Sequence, residues 1–167
     1  MSGSEVGRML HEEHEATLSV LNELEGIILD RAPDQPMDVE DPDDRGHLER
    51  LIHVIDRDVN RHFSFEEEVL FPILRQRGAG DMVDLLTHEH QAIRPLAGGL
   101  DIIVRDALDA GFDAASWGEF RDQVMELMER ESFHIQKEEM GLIRALNVLV
   151  DAETDQELAA RYKDYTP

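Results

Sequence analysis

The chain has 167 residues, of which 41% are hydrophobic, enough for one domain with a buried core. It has no cysteine, which excludes disulfides, thiolate zinc sites and iron–sulfur clusters. A formal net charge of -22 disfavours binding to nucleic acid or anionic membranes. The amino terminus lacks a signal-peptide core, and no apolar run reaches the roughly 18 residues of a membrane span. We therefore expect a cytoplasmic monomer or homodimer with no nucleic-acid or membrane partner.

Apolar residues recur with helical spacing along almost the whole chain, which predicts an all-α protein. The first predicted helix ends near Leu29 and is followed by an acidic, proline-rich loop. The second helix is predicted from about Asp43 to Arg77, and Pro72 is expected to kink or loosen its last turns.

The second half of the chain predicts two more long helices. Asp81 is the predicted N-cap of the third helix, and Pro95 lies inside that helix, where a kink is expected. A capping box between Ser116 and Glu119 predicts the start of the fourth helix. Four long helices, two of whose three connections are short, predict an up-down-up-down four-helix bundle.

The end of the chain predicts one further, shorter element. A capping box between Thr154 and Glu157 indicates a short C-terminal helix. We therefore divide the chain into a four-helix bundle at residues 1–147 and a C-terminal segment at residues 148–167 that packs on the bundle.

A His-x-x-x-Glu-Glu phrase occurs twice, beginning at His62 on the second helix and at His134 on the fourth. In each copy the histidine and the first glutamate, Glu66 or Glu138, belong to the apolar stripe of their helix. Residues four apart on a helix share a face. Both His–Glu pairs are therefore predicted to point into the core.

The first and third helices carry a related repeat, since "EEHEATL" resembles "HEHQAIRPL". Each places a histidine, His14 or His90, in its apolar stripe, and two similar hairpins packed face to face would bring all four histidines to one level. Burying imidazoles and carboxylates is costly unless they are compensated. Arg94, the nearest basic residue, cannot serve both glutamates, whereas metal ions can.

Imidazole nitrogen combined with carboxylate oxygen suits iron, manganese or zinc. Two glutamates on facing helices can each bridge two ions, which predicts a dinuclear site with iron as the first choice. The alternative for a single His-x-x-x-Glu is a surface pair. Two copies in apolar stripes, with histidines on both other helices, favour the metal site.

The chain resembles the hemerythrin-like (HHE cation-binding) domain family over about residues 8–146, in the segments "EHEATL", "HFSFEEEVLFP", "THEHQAIRPL" and "HIQKEEMGLI". The resemblance implies a four-helix bundle holding two Fe ions, an oxo- or hydroxo-bridged di-iron centre, that reacts with O2, peroxide or NO. It further implies four histidine ligands and two bridging carboxylates, at His14, His62, His90, His134, Glu66 and Glu138.

Two positions depart from the pattern of oxygen-carrying hemerythrins. Arg94 stands where they have a second histidine one turn after the third-helix ligand, and Glu138 follows His134 by four residues where they have an aspartate at five. Because the five-histidine set is incomplete, we expect an open position on one iron, which favours reactivity over reversible oxygen carriage. Whether His11 or Glu131 also ligates stays open.

Sensing, detoxification and iron handling are all compatible uses of such a centre. The first alternative is a di-iron enzyme that acts on peroxide or nitric oxide. A ferritin-like carboxylate oxidase would need Glu-x-x-His on two helices, and only Glu131 and His134 supply it. A bundle with a structural metal such as zinc is the third alternative.

Four residues near these motifs are predicted to lie outside the site. His53 and His88 point away from the apolar stripes, so both are expected to be exposed. Glu67 and Glu139 follow the two stripe glutamates and lie about 100° further round their helices. They are expected to be solvated.

Overall fold

The computed structural model describes residues 3–167 and contains only helices as regular secondary structure over that range. The elements are α1 Glu5–Asp30, α2 at residues 42–76, α3 Gly80–Ala110, α4 at residues 114–149 and α5 Ala152–Asp164. Helices α1 and α3 each pack against both α2 and α4. The predicted all-α bundle with a short C-terminal helix is confirmed.

Side-chain caps start four of the five helices. Ser4 accepts a hydrogen bond from a backbone N–H of the first turn of α1, and Asp41, Asp113 and Asp151 do the same for α2, α4 and α5. The turn between α2 and α3 depends on Gly78, whose φ of 95° lies in the left-handed region that favours glycine.

The predicted N-caps of the last three helices are wrong. Asp81, Ser116 and Thr154 each lie inside the first turn of their helix rather than before it. The reason is an aspartate one turn earlier, Asp113 for α4 and Asp151 for α5, which captures the free N–H groups. The helix α3 starts without a side-chain cap.

Two helices depart from regular α geometry where they pass the middle of the bundle. Helix α2 is π-helical at Ile55–His62 and Glu66–Leu70, and α4 is π-helical at Glu138–Leu142. The loosening expected at Pro72 coincides with the second stretch, while α3 continues through Pro95 as α-helix. Such turns occur frequently at functional sites, and these three contain predicted ligands.

The core consists of two apolar clusters along the bundle axis. The first is built around residues such as Leu24, Leu51, Val104, Trp117 and Phe120. The second includes Leu10, Leu70, Leu86, Leu142 and, from α5, Leu158 and Tyr162. Between the clusters lie nine buried polar residues: His14, Thr17, Asp58, His62, Glu66, His90, Glu131, His134 and Glu138. This polar layer gains nothing from apolar burial, so other interactions must hold it.

The C-terminal helix α5 covers one edge of this arrangement and packs against α1. Tyr162 is buried, and the guanidinium of Arg61 on α2 donates hydrogen bonds to the backbone carbonyls of Tyr162 and Tyr165. Asp155 accepts hydrogen bonds from the backbone N–H groups of Glu5 and Val6. Helix α5 therefore ties the end of the chain to its beginning.

Candidate metal centre

Four imidazoles meet in the polar layer, one from each long helix. They are His14 on α1, His62 on α2, His90 on α3 and His134 on α4. Each is at most 2% exposed. The Nε2 atoms of His90 and His134 lie 3.1 Å apart. Two nitrogens that face each other this closely need a proton or a cation between them.

Two fully buried carboxylates, Glu66 and Glu138, each lie between two of these imidazoles from different helices. The distances are His62 Nε2–Glu66 Oε1 2.8 Å, His90 Nε2–Glu66 Oε2 3.2 Å, His14 Nε2–Glu138 Oε2 2.7 Å and His134 Nε2–Glu138 Oε1 2.5 Å. The histidines are thereby linked in two pairs by carboxylates that come from the facing helices α2 and α4.

The six residues form two groups of four potential ligands that share both glutamates. One group is His14, His62, Glu66 and Glu138, and the other is Glu66, His90, His134 and Glu138. Within each group the ligand atoms lie within 4.8 Å of one another. Two donor atoms about 2.1 Å from one ion and at right angles lie about 3 Å apart, which matches the spacings above. The donor set therefore fits two adjacent cations, one per group.

Two ligand oxygens also lack a well-aligned hydrogen bond. Glu66 Oε2 and Glu138 Oε1 are buried, and no donor among residues 3–167 satisfies either atom. Folded proteins leave few buried polar atoms without a partner, and a bound ion is one way in which such atoms are satisfied. All six predicted site residues thus converge on one interior position, and their donor atoms could hold a cation there.

A ring of four outer glutamates holds the Nδ1 atom of each of these four histidines. The distances are Glu13 Oε2–His62 Nδ1 2.9 Å, Glu67 Oε1–His90 Nδ1 3.0 Å, Glu89 Oε1–His134 Nδ1 2.9 Å and Glu139 Oε1–His14 Nδ1 2.7 Å. A carboxylate can only accept, so each Nδ1 carries the proton and donates it. Each Nε2 lone pair is then free to face the interior, the arrangement found for most metal-bound histidines.

Glu67 and Glu139 belong to neither group of potential ligands, as predicted, but they are not merely solvated, because each hydrogen-bonds a histidine. Their side chains are 29% exposed, so they join the buried imidazoles to the surface. The missed signal lies in the sequence, where each outer glutamate adjoins an inward-facing residue. Consecutive helical residues differ by about 100°, so one of the two faces the centre and the other faces a neighbouring helix.

The outer glutamates are themselves anchored by different partners. Tyr162 donates its hydroxyl hydrogen to Glu13, and Lys137 pairs with Glu89. The Arg94 guanidinium lies 2.8 Å from Glu67, so the residue that replaces a histidine of oxygen carriers faces an outer glutamate.

The open question about His11 is answered by its position outside the cluster. Its Nδ1 lies 2.8 Å from Glu139 Oε1, the same oxygen that is 2.7 Å from His14 Nδ1. His11 is exposed and belongs to neither group of potential ligands among the described residues. It supports the glutamate behind His14.

The electrostatics of the metal-free centre favour protonated histidines. Burial disfavours the imidazolium of His14, but the carboxylates of Glu138 and Glu139 outweigh it and raise its pKa to about 9. The same balance raises the pKa of His90 to about 10 and of His134 to about 11. A cation that binds here must therefore displace protons, so its affinity increases with pH.

Two further buried carboxyls, Asp58 and Glu131, lie one helical turn from the histidines on α2 and α4, and sequence reasoning missed Asp58. Asp58 Oδ1 is 3.6 Å from His62 Nδ1. Burial raises the pKa of Asp58, against the effect of His62 and His14. Burial, and then the facing Asp58 carboxylate, raise the pKa of Glu131 well above its ordinary value. Glu131 belongs to neither group of four.

Two other histidines and the membrane prediction can also be compared with the structure. His53 and His88 are exposed and take no part in the cluster, as predicted. Within residues 3–167, the structure has no helix with both the length and the apolar character needed to cross a bilayer.

Comparison with known protein families agrees with this geometry. The profile of the Hemerythrin HHE cation binding domain matches residues 6–146, a range that holds all six predicted ligands and all four outer glutamates. No match was found among curated proteins. Because the profile covers most of the chain, the chain belongs to the hemerythrin HHE cation-binding domain family.

Proposed function

We propose that the chain binds two iron ions, one in each group of four residues, and that the iron pair binds or reacts with O2, peroxide or NO. The observation that supports this most directly is that both groups contain Glu66 and Glu138. A single ion would be held by one group and would leave the two histidines of the other group without a cation. Two ions satisfy all four histidines and both carboxylates.

Iron is the proposed metal because each group offers two imidazoles and carboxylate oxygen. This is the type of donor set that supports non-haem iron chemistry with oxygen. The bound iron pair would supply electrons and a coordination position to a small oxygen or nitrogen compound. The resulting activity would serve sensing, detoxification or iron handling.

The residues of the chain contribute orientation and exclusion of water. The outer glutamates hold each imidazole with its Nδ1–H donated outward, which fixes the direction of the Nε2 lone pair. The two apolar clusters close the bundle on both sides of the polar layer. Charges inside such an enclosed site interact more strongly than in water.

A structural zinc pair is the second candidate. Each group presents four residues, which is the number of ligands that zinc takes in its closed structural sites. Such a protein would be stabilised by zinc as much as by iron and would show no reaction with oxygen or peroxide.

The test is anaerobic reconstitution of the full chain with ferrous iron, followed by metal analysis and exposure to air. We expect two irons per chain and a near-ultraviolet absorption band on oxidation that changes when azide is added. Fewer than one iron per chain would contradict the proposal. Full loading with zinc at equal affinity, without any oxygen-dependent spectrum for the iron form, would support the structural role. Steady-state assays with peroxide or nitric oxide would separate an enzyme from a binding protein.

A further inference from the structure

The solvent side of α4 differs from the rest of the surface in its apolar residues and its charge. Among residues 3–167 six large apolar side chains are exposed, and three of them lie on α4: Phe133 at 58%, Met140 at 67% and Val148 at 75%. The exposed charged residues between 125 and 148 are two acids and three bases, Glu126, Glu129, Arg130, Lys137 and Arg144. The net charge of the whole chain is -22. Two copies of the chain, which repel each other elsewhere, can therefore approach along this stretch.

The exposed residues of this stretch include a row whose members follow one another at intervals of three or four. They are Glu129, Phe133, Gln136, Met140, Arg144 and Val148. Such spacing keeps side chains on one side of a helix, and helices pair along rows of this kind. We call this set the outer face of α4.

The outer face is complementary to itself when a second copy runs antiparallel. If the two helices are centred midway between Phe133 and Met140, the phenylalanine of each copy faces the methionine of the other. Glu129 then faces Arg144, because these two residues are also equally distant from that centre. Thioether sulfur packs favourably against aromatic rings, and a guanidinium pairs with a carboxylate. A parallel arrangement would instead place each of the four residues opposite its own copy.

The middle and the end of the antiparallel pair are also compatible. In the middle Gln136 of one copy faces Lys137 of the other, and the Lys137 ammonium already pairs with Glu89 of its own chain. Near the end, Val148 faces Met125, which is half-buried. No uncompensated like charges therefore meet along the row.

The surface on either side of Phe133 has the shape that helix packing requires. The ring borders a groove of 610 Å³ on the α3 side and another of 580 Å³ whose lining includes Met125, Met128 and, from α1, Glu25. Packed helices place the ridges of one into the grooves of the other. Met140 of a second copy can therefore enter a groove beside Phe133.

An exposed leucine of α3 extends the same apolar surface. Leu85 is 48% exposed and lies on the same side of α3 as Met82, three residues earlier, and Glu89, four residues later. Met82 lies against Gly141, and Glu89 pairs with Lys137. Leu85 therefore borders the outer face of α4 between these two contacts. Four of the six exposed large apolar side chains thus belong to one surface.

We propose that the chain forms a homodimer in which the outer faces of α4 from two copies pack antiparallel about a two-fold axis. A two-fold axis makes every contact occur twice. The apolar contacts are few and are flanked by polar ones, so the dimer is reversible, with a Kd of roughly 1–100 µM. The dimer needs no metal, so this inference goes beyond the proposed function and is independent of it.

The first test is sedimentation equilibrium of the full chain over a range of concentrations. We expect the average mass to rise from 19.1 kDa towards twice that value as the concentration passes the Kd. Phe133→Ser should weaken the dimer at least about 30-fold, because an aromatic anchor is lost from both copies. Ile102→Ser, which removes a similarly exposed apolar side chain from α3, is the matched control and should dimerise like wild type.

Two charge reversals test the antiparallel register. Glu129→Arg and Arg144→Glu each place like charges opposite one another, so each variant alone should dimerise about tenfold more weakly or worse. A mixture of the two variants restores both ion pairs in a heterodimer, which should form about as tightly as the wild-type dimer. Arg161→Glu, at an exposed position of α5, changes the net charge as Arg144→Glu does and should leave the dimer intact.

Three results would overturn the inference. A mass of 19.1 kDa at every concentration would exclude the homodimer and leave the outer face of α4 to a different protein. A dimer that persists in Phe133→Ser would show that another surface forms the interface. A mixture of the two charge variants that associates no better than either alone would refute the antiparallel register. Failure of the proposed function would be seen separately, as a lack of iron uptake.

Discussion

Replacing Glu138 by glutamine should remove both metal ions, whereas replacing a single histidine should remove only one. Glu138 belongs to both groups of four potential ligands, but His14 belongs to one. Glu138→Gln leaves neither group complete, while His14→Ala leaves the group of His90 and His134 intact. We expect about two irons per chain in wild type, about one in His14→Ala and fewer than one in Glu138→Gln.

The same substitution should lower the stability of the metal-free protein by a predictable amount. The Glu138 carboxylate has a pKa well below its ordinary value, because His134 and His14 oppose the effect of burial. Removing one partner of a buried ion pair costs about 3–5 kcal/mol. For a chain of this length about 1 kcal/mol shifts Tm by roughly 2–4 °C. Metal-free Glu138→Gln should therefore melt roughly 6–20 °C below wild type.

Both effects can be measured on the same preparations. Metal analysis after anaerobic loading gives the stoichiometry, and calorimetry of the metal-free proteins gives Tm. His53→Ala and His88→Ala, at exposed histidines, are the controls and should match wild type in both measurements. If Glu138→Gln retained one tightly bound iron and His14→Ala retained none, the sharing of Glu138 between two ions would be refuted.

Three further predictions concern the groups around the centre. Glu89→Gln should lower the affinity of one iron site by roughly 10- to 100-fold in a chelator competition, because Glu89 holds His134. The exposed Glu126→Gln is the control, and an unchanged affinity in Glu89→Gln would argue against a role for the outer glutamates. Tyr162→Phe should cost about 0.5–1.5 kcal/mol in denaturant unfolding, because Glu13 loses a donor, and an unchanged midpoint would contradict this. Three histidines have a folded pKa raised to between about 9 and 11 from 6.5. Their contribution to metal-free stability is complete below pH 6.5 and is lost as pH rises through 9 to 11, so Tm should fall over that range; a constant Tm would contradict the charge assignment.

The bundle and the six inward-facing residues were predictable because both depend on spacing within single helices. A histidine and a glutamate four residues apart share a face whatever the rest of the chain does. Because such a pair occurs twice, at His62 and His134, and both copies lie inside apolar stripes, the sequence alone predicts polar residues that point into the core. The stripe histidines His14 and His90 then follow from the similarity of the two halves.

What sequence reasoning missed depends on contacts between helices. Asp58 precedes His62 by four residues, but one acidic residue in a stripe does not show whether a carboxylate faces it from α4. The π-helical turns and the hydrogen bond of Tyr162 to Glu13 likewise depend on how α2, α4 and α5 pack. Local spacing contains no information about these distances.

The outer ring of glutamates follows from the repeat once the helix directions are known. On α1 and α3 the glutamate precedes the inward-facing histidine, as in Glu13 and His14, whereas on α2 and α4 it follows the inward-facing glutamate, as in Glu66 and Glu67. Successive helices run in opposite directions. A glutamate that precedes the inward-facing residue on one helix and a glutamate that follows it on the next helix therefore point the same way round the bundle axis. Each outer glutamate therefore faces the next helix in order, from α1 to α2, α2 to α3, α3 to α4 and α4 to α1. Glu15, on the opposite flank of His14, is 71% exposed and contacts His11 instead. Because the order of the two residues is reversed on successive helices, glutamates from all four helices form one ring of hydrogen bonds around the centre.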